Sequence, residues 1–180
     1  MTDDLIATSR FLSYVLRHRP DAIGVELDAA GWLDIDVLLA AMATHGRPIS
    51  RAVLDRVVAG TDKRRLQVQG TRIRAAQGHS VGVDLQLEPV RPPATLFHGT
   101  VDRFLPAILA EGLRPGQRNH VHLSADERTA SVVGGRRGDA VVLRIDAAGM
   151  HRDGHRFYQA ANGVWLTERV PPRWISTPDR

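Results

Sequence analysis

Gln117-Arg118-Asn119-His120-Val121-His122-Leu123-Ser124 sets a cation and two imidazoles in a segment that alternates like a half-buried strand. Successive strand side chains point to opposite faces, so Val121 and Leu123 face one way and His120, His122 and Ser124 the other. A face of two histidines and a serine beside an arginine offers hydrogen bonds to something polar and anionic. The same alternation fits an edge strand whose polar face is simply hydrated. The chain around the stretch has to separate the two readings.

A chain of 180 residues can hold one large domain or two small lobes with a real core. Hydrophobic residues at 43% and charged residues at 24% are ordinary for a soluble globular protein, so disorder is not expected. No apolar run approaches the length that spans a bilayer, and Met1-Thr2-Asp3-Asp4 is acidic where a signal peptide would be basic. A cytoplasmic protein without membrane contact is expected, and a monomer, since no apolar face is clearly surplus to a core. The absence of cysteine excludes disulfides, thiolate metal sites and a cysteine nucleophile, and fits a reducing compartment. Lys63 is the only lysine among 24 cations, which stand against 20 acids. Arginine is suited to bidentate grip on phosphate, although a GC-rich genome would enrich it as well.

Apolar spacing predicts a helix from Asp3 to about Arg17, with Thr2 or Asp3 as its cap and Pro20 barring continuation. Arg17-His18-Arg19 then sits at the helix end, where the dipole favours cations and where three fixed basic side chains would also clamp an anion. Asp28-Ala29-Ala30-Gly31 reads as a turn. Asp36 can cap a helix through Val37 to Ala43 that ends at Gly46, and Ser50 one that stops at Gly60. Arg65 to Val68 and Arg72 to Ala75 alternate around Gln69-Gly70-Thr71, a hairpin. Helices followed by a basic hairpin resemble a winged helix, with Lys63, Arg64, Arg65, Arg72 and Arg74 as a positive stripe; solvated surface charge is the plainer reading.

Between Gln77 and Ala94, glycines and prolines interrupt short alternating pieces, and a lobe boundary is expected there. Beyond it, Leu96-Phe97 is a short strand leading into His98-Gly99-Thr100. A helix from about Asp102 to Glu111 closes at Gly112, and another follows Ser124, from about Asp126 to Val133. Gly134 to Gly138 reads as a basic, flexible loop around Arg136 and Arg137, and Ala140 to Ile145 as a strand. Phe157-Tyr158 with Asn162 to Thr167 forms a last hairpin, and Trp174-Ile175 a closing strand. The fold class is α+β.

No Gly-rich phosphate loop, H-E-x-x-H or G-x-S-x-G is present. His120 and His122 could hold zinc, but no nearby carboxylate cluster or cysteine completes a shell, so no metal is expected. What remains is an ordered set of small motifs: Leu16-Arg17-His18, Lys63-Arg64-Arg65, Ala76-Gln77-Gly78-His79-Ser80, His98-Gly99-Thr100, Arg118 to Ser124, and Asn162-Gly163-Val164-Trp165-Leu166. Together they resemble the RNA 2′-phosphotransferase family, the NAD-dependent enzymes that remove an internal 2′-phosphate from RNA, over about Ser9 to Ile175.

The resemblance implies a winged-helix RNA-binding lobe (1–80), a linker (81–93) and an ADP-ribosyltransferase-like NAD lobe (94–180), with substrates meeting in the cleft between them. It implies a tRNA-like RNA bearing a 2′-phosphate, as arises in tRNA splicing, and NAD consumed as co-substrate. The 2′-phosphate attacks the nicotinamide-bearing ribose carbon, expelling nicotinamide and leaving a 2′-phospho-ADP-ribosyl RNA intermediate. The ribose 2″-hydroxyl then attacks phosphorus, releasing 2′-hydroxyl RNA and ADP-ribose 1″,2″-cyclic phosphate. The family's Arg-His-Arg-Arg tetrad falls on Arg17, His18, Arg65 and Arg118. Arg65 is preferred to Arg64 because it directly precedes the apolar start of its strand. The NAD site falls on His98, Gly99, Thr100, His122 and Ser124, with Arg136 and Arg137 as further contributors. Arg118 is expected to turn toward the transferred phosphate, and His122 and Ser124 toward NAD.

These identities suit the chemistry. A 2′-phosphate is already an anionic nucleophile, so positioning matters more than a strong base. Charge moving across phosphorus needs cations, which arginines supply, and His18 beside the clamp is the natural group to move a proton. Two features depart from related patterns. Phe97 stands where the family usually has tyrosine, and Gly163-Val164-Trp165 lacks the glutamate on which many protein-modifying ADP-ribosyltransferases rely, Glu168 being the nearest acid. Two other outcomes stay open: ADP-ribosylation of phosphorylated nucleic-acid ends, and a non-catalytic regulator that senses a nucleotide.

Overall fold

Leu5, Leu12, Val15 and Leu16 bury one stripe of the first helix, α1 (Asp3–Arg17). The computed structural model describes residues 3–60 and 65–177, folded as two units, Met1–Gln86 and Leu87–Arg180. Thr2, Lys63 and Arg64 therefore lie outside the described residues. After α1, a 3₁₀ turn begins at Pro20, and β1 (Leu33–Asp34) leads into α2 (Ile35–Thr44). The cap of α2 is Asp34 rather than Asp36. Its extended backbone lets the carboxylate accept from Asp36 N (2.8 Å) and Val37 N (3.4 Å), so Asp36 falls inside the first turn. Ser50 caps α3 (Arg51–Ala59) as expected, and Gly60 closes it. The hairpin of β2 (Leu66–Gln69) and β3 (Arg72–Ala75) follows.

The three strands pair antiparallel in the order β1-β3-β2, which puts Ile73 between Leu33 and Val68. Ile73 is fully buried, together with Leu12, Leu16, Ile35, Leu38 and Leu54. One of the hairpin's cations is not the solvated charge that the sequence suggests. Arg74 is half-buried: it donates from Nε to Gln67 Oε1 (2.9 Å) and from Nη1 to the carbonyls of Ala30 (3.0 Å) and Leu85 (3.2 Å). Its guanidinium lies 4.4 Å from the Trp32 ring centroid. Every donor so used is withdrawn from a ligand.

In the second unit, β4 (Thr95–Val101) runs through His98-Gly99-Thr100 instead of ending before it. The expected helix at Asp102 starts as a 3₁₀ turn and becomes α4 (Leu105–Glu111). β5 (Val121–Leu123) buries Val121 and Leu123 as the alternation requires, while residues 116–120 are turn. α5 (Glu127–Gly134) is capped by Asp126, whose carboxylate accepts from Thr129 N at 2.7 Å. The expected flexible loop at Gly134 is instead the last helical residue and a 3₁₀ turn, Gly135–Arg137, because Gly134 is packed against the β4 backbone.

β6 (Ala140–Asp146) pairs along all of β4. A helix that the alternation did not signal, α6 (Ala147–Arg152), starts where Asp146 accepts from Gly149 N at 2.8 Å. β7 (Tyr158–Gln159) and β8 (Trp165–Thr167) form the last hairpin. Trp174 ends a 3₁₀ turn, so the closing strand, β9 (Ile175–Ser176), starts one residue later than expected.

The strands form two antiparallel sheets, β4-β6-β9 and β5-β8-β7. Phe97 and Ser124 join them by exchanging backbone hydrogen bonds of 2.9 and 2.8 Å. β5 is therefore stitched to β4 at the His98 end, and this stitch positions the site. Leu96, Leu123, Leu143, Ile145 and Phe157 form the core around it. No helix among the described residues is long and apolar enough to cross a membrane.

Candidate functional site

In the first unit the candidate residues gather at the end of α1. Arg17 is its last residue, and Arg17 Nη2 donates to the Arg65 carbonyl at 3.5 Å. That carbonyl also accepts from Ala76 N (2.9 Å), which holds the start of β2 beside the residue after β3. His18 is anchored by its backbone N–H to the Tyr14 carbonyl (2.9 Å), and its Nδ1 lies 2.9 Å from Ser80 Oγ. Arg17, His18 and the Arg65 backbone are thus brought together across 48 residues of chain. His79 lies behind them, only 2% exposed, with neither ring nitrogen hydrogen-bonded among the described residues. Burial, with the nearby charges of Arg17, Arg74 and His18, lowers its pKa to about 4.

In the second unit the candidates lie around the stitch between β4 and β5. His98 Nδ1 is 3.0 Å from the His122 carbonyl. A carbonyl only accepts, so Nδ1 carries the proton and Nε2 keeps a lone pair. Burial, and after it the charges of Arg137 and Arg118, lowers the His98 pKa against the pull of that hydrogen bond. The ring is a neutral acceptor at Nε2. His122 takes the opposite tautomer. Arg118 Nη1 donates to its Nδ1 at 2.7 Å, which leaves Nε2 as the N–H nitrogen. The structure therefore couples Arg118 and His122 directly.

Desolvation, then Arg137 and Arg136, lowers the pKa of Arg118. None of these three arginines forms a salt bridge among the described residues. Three like charges, none of them in a salt bridge among the described residues, make a place that an anion stabilises. Thr100 is buried on β4, and Ser124 is held through its backbone by Phe97.

Gly99 has a second reason for its identity. A Cβ there would lie 1.8 Å from the Ala130 carbonyl oxygen, so the missing side chain is what lets α5 rest on β4. His120 meets the Tyr158 ring edge-on, at 5.7 Å between centroids. No three His, Cys, Asp or Glu residues come together as a metal site among the described residues.

A family model described as RNA 2'-phosphotransferase, Tpt1 / KptA family, matches residues 3–169. The chain belongs to the RNA 2′-phosphotransferase family. It is accordingly an enzyme of the transferase class. A Streptomyces coelicolor protein named "Probable RNA 2'-phosphotransferase" is 58% identical to it over 173 residues, 96% of this chain and 95% of the relative. An Agrobacterium fabrum protein of the same name is 60% identical over 172 residues, 94% and 92% of the two chains. One from Pseudomonas aeruginosa is 57% identical over 171 residues, 93% and 94%.

The match to the phosphotransferase family spans both residue sets, from Arg17 to Arg137. Two residues that the geometry places beside them received no role from the sequence: His79 and Ser80. A separation of 62 positions between His18 and Ser80 hides their contact, and a histidine gives no sign in sequence of being buried.

His79 makes a testable contribution to acid sensitivity. An ordinary imidazole titrates near 6.5 and the folded one at about 4, so between these values the unfolded chain holds more protons. Stability is lost as pH falls through that window, by on the order of 3 kcal/mol at the acid end. Urea unfolding at pH 7 and pH 4 should show His79→Leu losing less stability on acidification than wild type by about that amount. Equal losses in the two proteins would refute the assignment.

Proposed function

We propose that the chain removes an internal 2′-phosphate from RNA with NAD as consumed co-substrate, yielding nicotinamide, 2′-hydroxyl RNA and ADP-ribose 1″,2″-cyclic phosphate. On this reading 1–80 is a winged-helix lobe, 81–93 a linker and 94–180 an ADP-ribosyltransferase-like lobe. The three helices and β1-β3-β2 order of the first unit, ending in a hairpin with Arg72 exposed, support the first assignment. The names of the relatives support the RNA 2′-phosphate as substrate.

The observation that carries the reading is the cluster of Arg118, Arg136 and Arg137, without a salt bridge among the described residues, beside two imidazoles of opposite tautomer. The donor set fits a dinucleotide. Arginines suit its pyrophosphate, the lone pair on His98 Nε2 suits a ribose hydroxyl, and the His122 N–H suits an oxygen acceptor. NAD supplies a ribose carbon made electrophilic by nicotinamide as leaving group. Arg118 holds positive charge where the transferred phosphate develops negative charge, and Arg136 and Arg137 strengthen that field. Gly99, Thr100 and Ser124 line the strand ends beside His98. Arg17, His18 and Arg65 hold the RNA 2′-phosphate, and His18 moves the proton.

The test is product analysis with NAD and a short RNA carrying one internal 2′-phosphate. Nicotinamide together with the cyclic phosphate is the expected result. RNA that accumulates ADP-ribose would point to a reaction that stops after the first step. No NAD turnover with 2′-phosphorylated or end-phosphorylated RNA would overturn the enzymatic reading.

A further inference from the structure

The segment Ala76 to Ser80 has no part in the roles above, yet two hydrogen bonds tie it to the end of α1. Ser80 N–H donates to the Arg17 carbonyl at 2.9 Å, and Ser80 Oγ lies 2.9 Å from His18 Nδ1. At Gly78 a φ of +90 turns the backbone toward Arg17, and a Cβ there would meet Arg17 Cδ at 3.7 Å. Between these residues the segment is anchored by His79, whose ring is buried, and a Cβ on Gly31 would meet its Nε2 at 3.4 Å. The inner side of the segment is fixed by packing, and its outer side presents one hydroxyl to one imidazole.

Arg17 is the last residue of α1 and His18 the first beyond it, and helix ends fray without outside partners. The Ser80 backbone steadies this end through the Arg17 carbonyl. The hydroxyl does something different: it touches only the ring whose orientation the chemistry would need.

We infer that Ser80 is a positioning residue for His18, its hydroxyl engaging Nδ1 so that any proton His18 exchanges with a phosphate passes through Nε2. The inference rests on the reading of His18 as part of the phosphate-handling set. Whichever of the two groups donates, Nδ1 is committed to Ser80, and a single ring orientation is selected. Without the hydroxyl the ring loses its Nδ1 hydrogen bond, and the preference for that χ2 orientation weakens.

Ser80 is exposed, so Ser80→Ala leaves the fold intact. The full-length protein is assayed for nicotinamide release with NAD and 2′-phosphorylated RNA, and the His18 ring nitrogens are followed by ¹⁵N NMR. Loss of one hydrogen bond and of a fixed ring predicts a kcat about 10-fold lower, with KM for NAD unchanged. Ser80→Thr restores the hydroxyl and returns kcat to within about 3-fold of wild type. The His18 Nδ1 resonance moves in Ser80→Ala and returns in Ser80→Thr. A wild-type kcat in Ser80→Ala overturns the inference, as does a loss that threonine fails to rescue or that follows a lower melting temperature. If wild type itself releases no nicotinamide, the proposed function fails separately. The NMR comparison then decides alone, and an unmoved Nδ1 resonance rejects the role of Ser80.

Discussion

Arg118→Ala is expected to lower single-turnover nicotinamide release by about two to three orders of magnitude while leaving the melting temperature close to wild type. The side chain is exposed, and its described hydrogen bond is the one to His122 Nδ1. Removing it opens no core cavity and breaks no salt bridge among the described residues. What disappears is one of three clustered positive charges, together with the donor that holds His122 in its Nε2–H tautomer. On the proposed reading both losses fall on the developing charge, as when a donor to an oxyanion is deleted. Arg118→Lys should recover only part of the rate, because an ammonium lacks the planar fork that reaches an imidazole and a phosphate together. A fall in melting temperature that matches the fall in rate would make the residue structural.

Gly99→Ala should act in the opposite way, destabilising the second unit by about 3 kcal/mol or more. The new methyl would overlap the Ala130 carbonyl oxygen at 1.8 Å, its carbon at 2.7 Å and Gly134 N at 2.8 Å. All three are backbone atoms, so no flexible side chain can yield. α5 would have to lift off β4, and the Arg136 and Arg137 turn that follows it would move as well. Gly135→Ala is the control, with φ −58 and nothing within 4 Å of an added Cβ. Urea midpoints decide: a Gly99→Ala protein as stable as the control would mean that the helix does not rest there.

These two positions show what the sequence could disclose. The alternation around Val121 and Leu123, the Ser50 cap and the β2–β3 hairpin are local signals, and the structure holds them where they were expected. The packing role of Gly99 could not be read beside its place in the His-Gly-Thr motif, because sequence does not reveal which helix crosses a strand. The stitch between Phe97 and Ser124 and the contact of His18 with Ser80 both join residues far apart in the chain. The α2 cap moved from Asp36 to Asp34 because two acids two residues apart compete for one role, and backbone geometry selects between them. The hydrogen bond between Arg118 and His122 had no sign in the sequence; a four-residue separation across a turn brings the two side chains within reach.

Arg74 carries a last consequence. A cation contributes to the salt dependence of nucleic-acid binding only if it displaces a condensed counterion from the phosphate backbone. Arg74 has committed its guanidinium to Gln67, Ala30 and Leu85 and to the face of Trp32. These partners are neutral, so its charge remains, but with Nε and Nη1 engaged inside the unit only Nη2 is left to meet a phosphate. If this unit binds RNA as proposed, its affinity should weaken with added salt less steeply than its arginine count suggests.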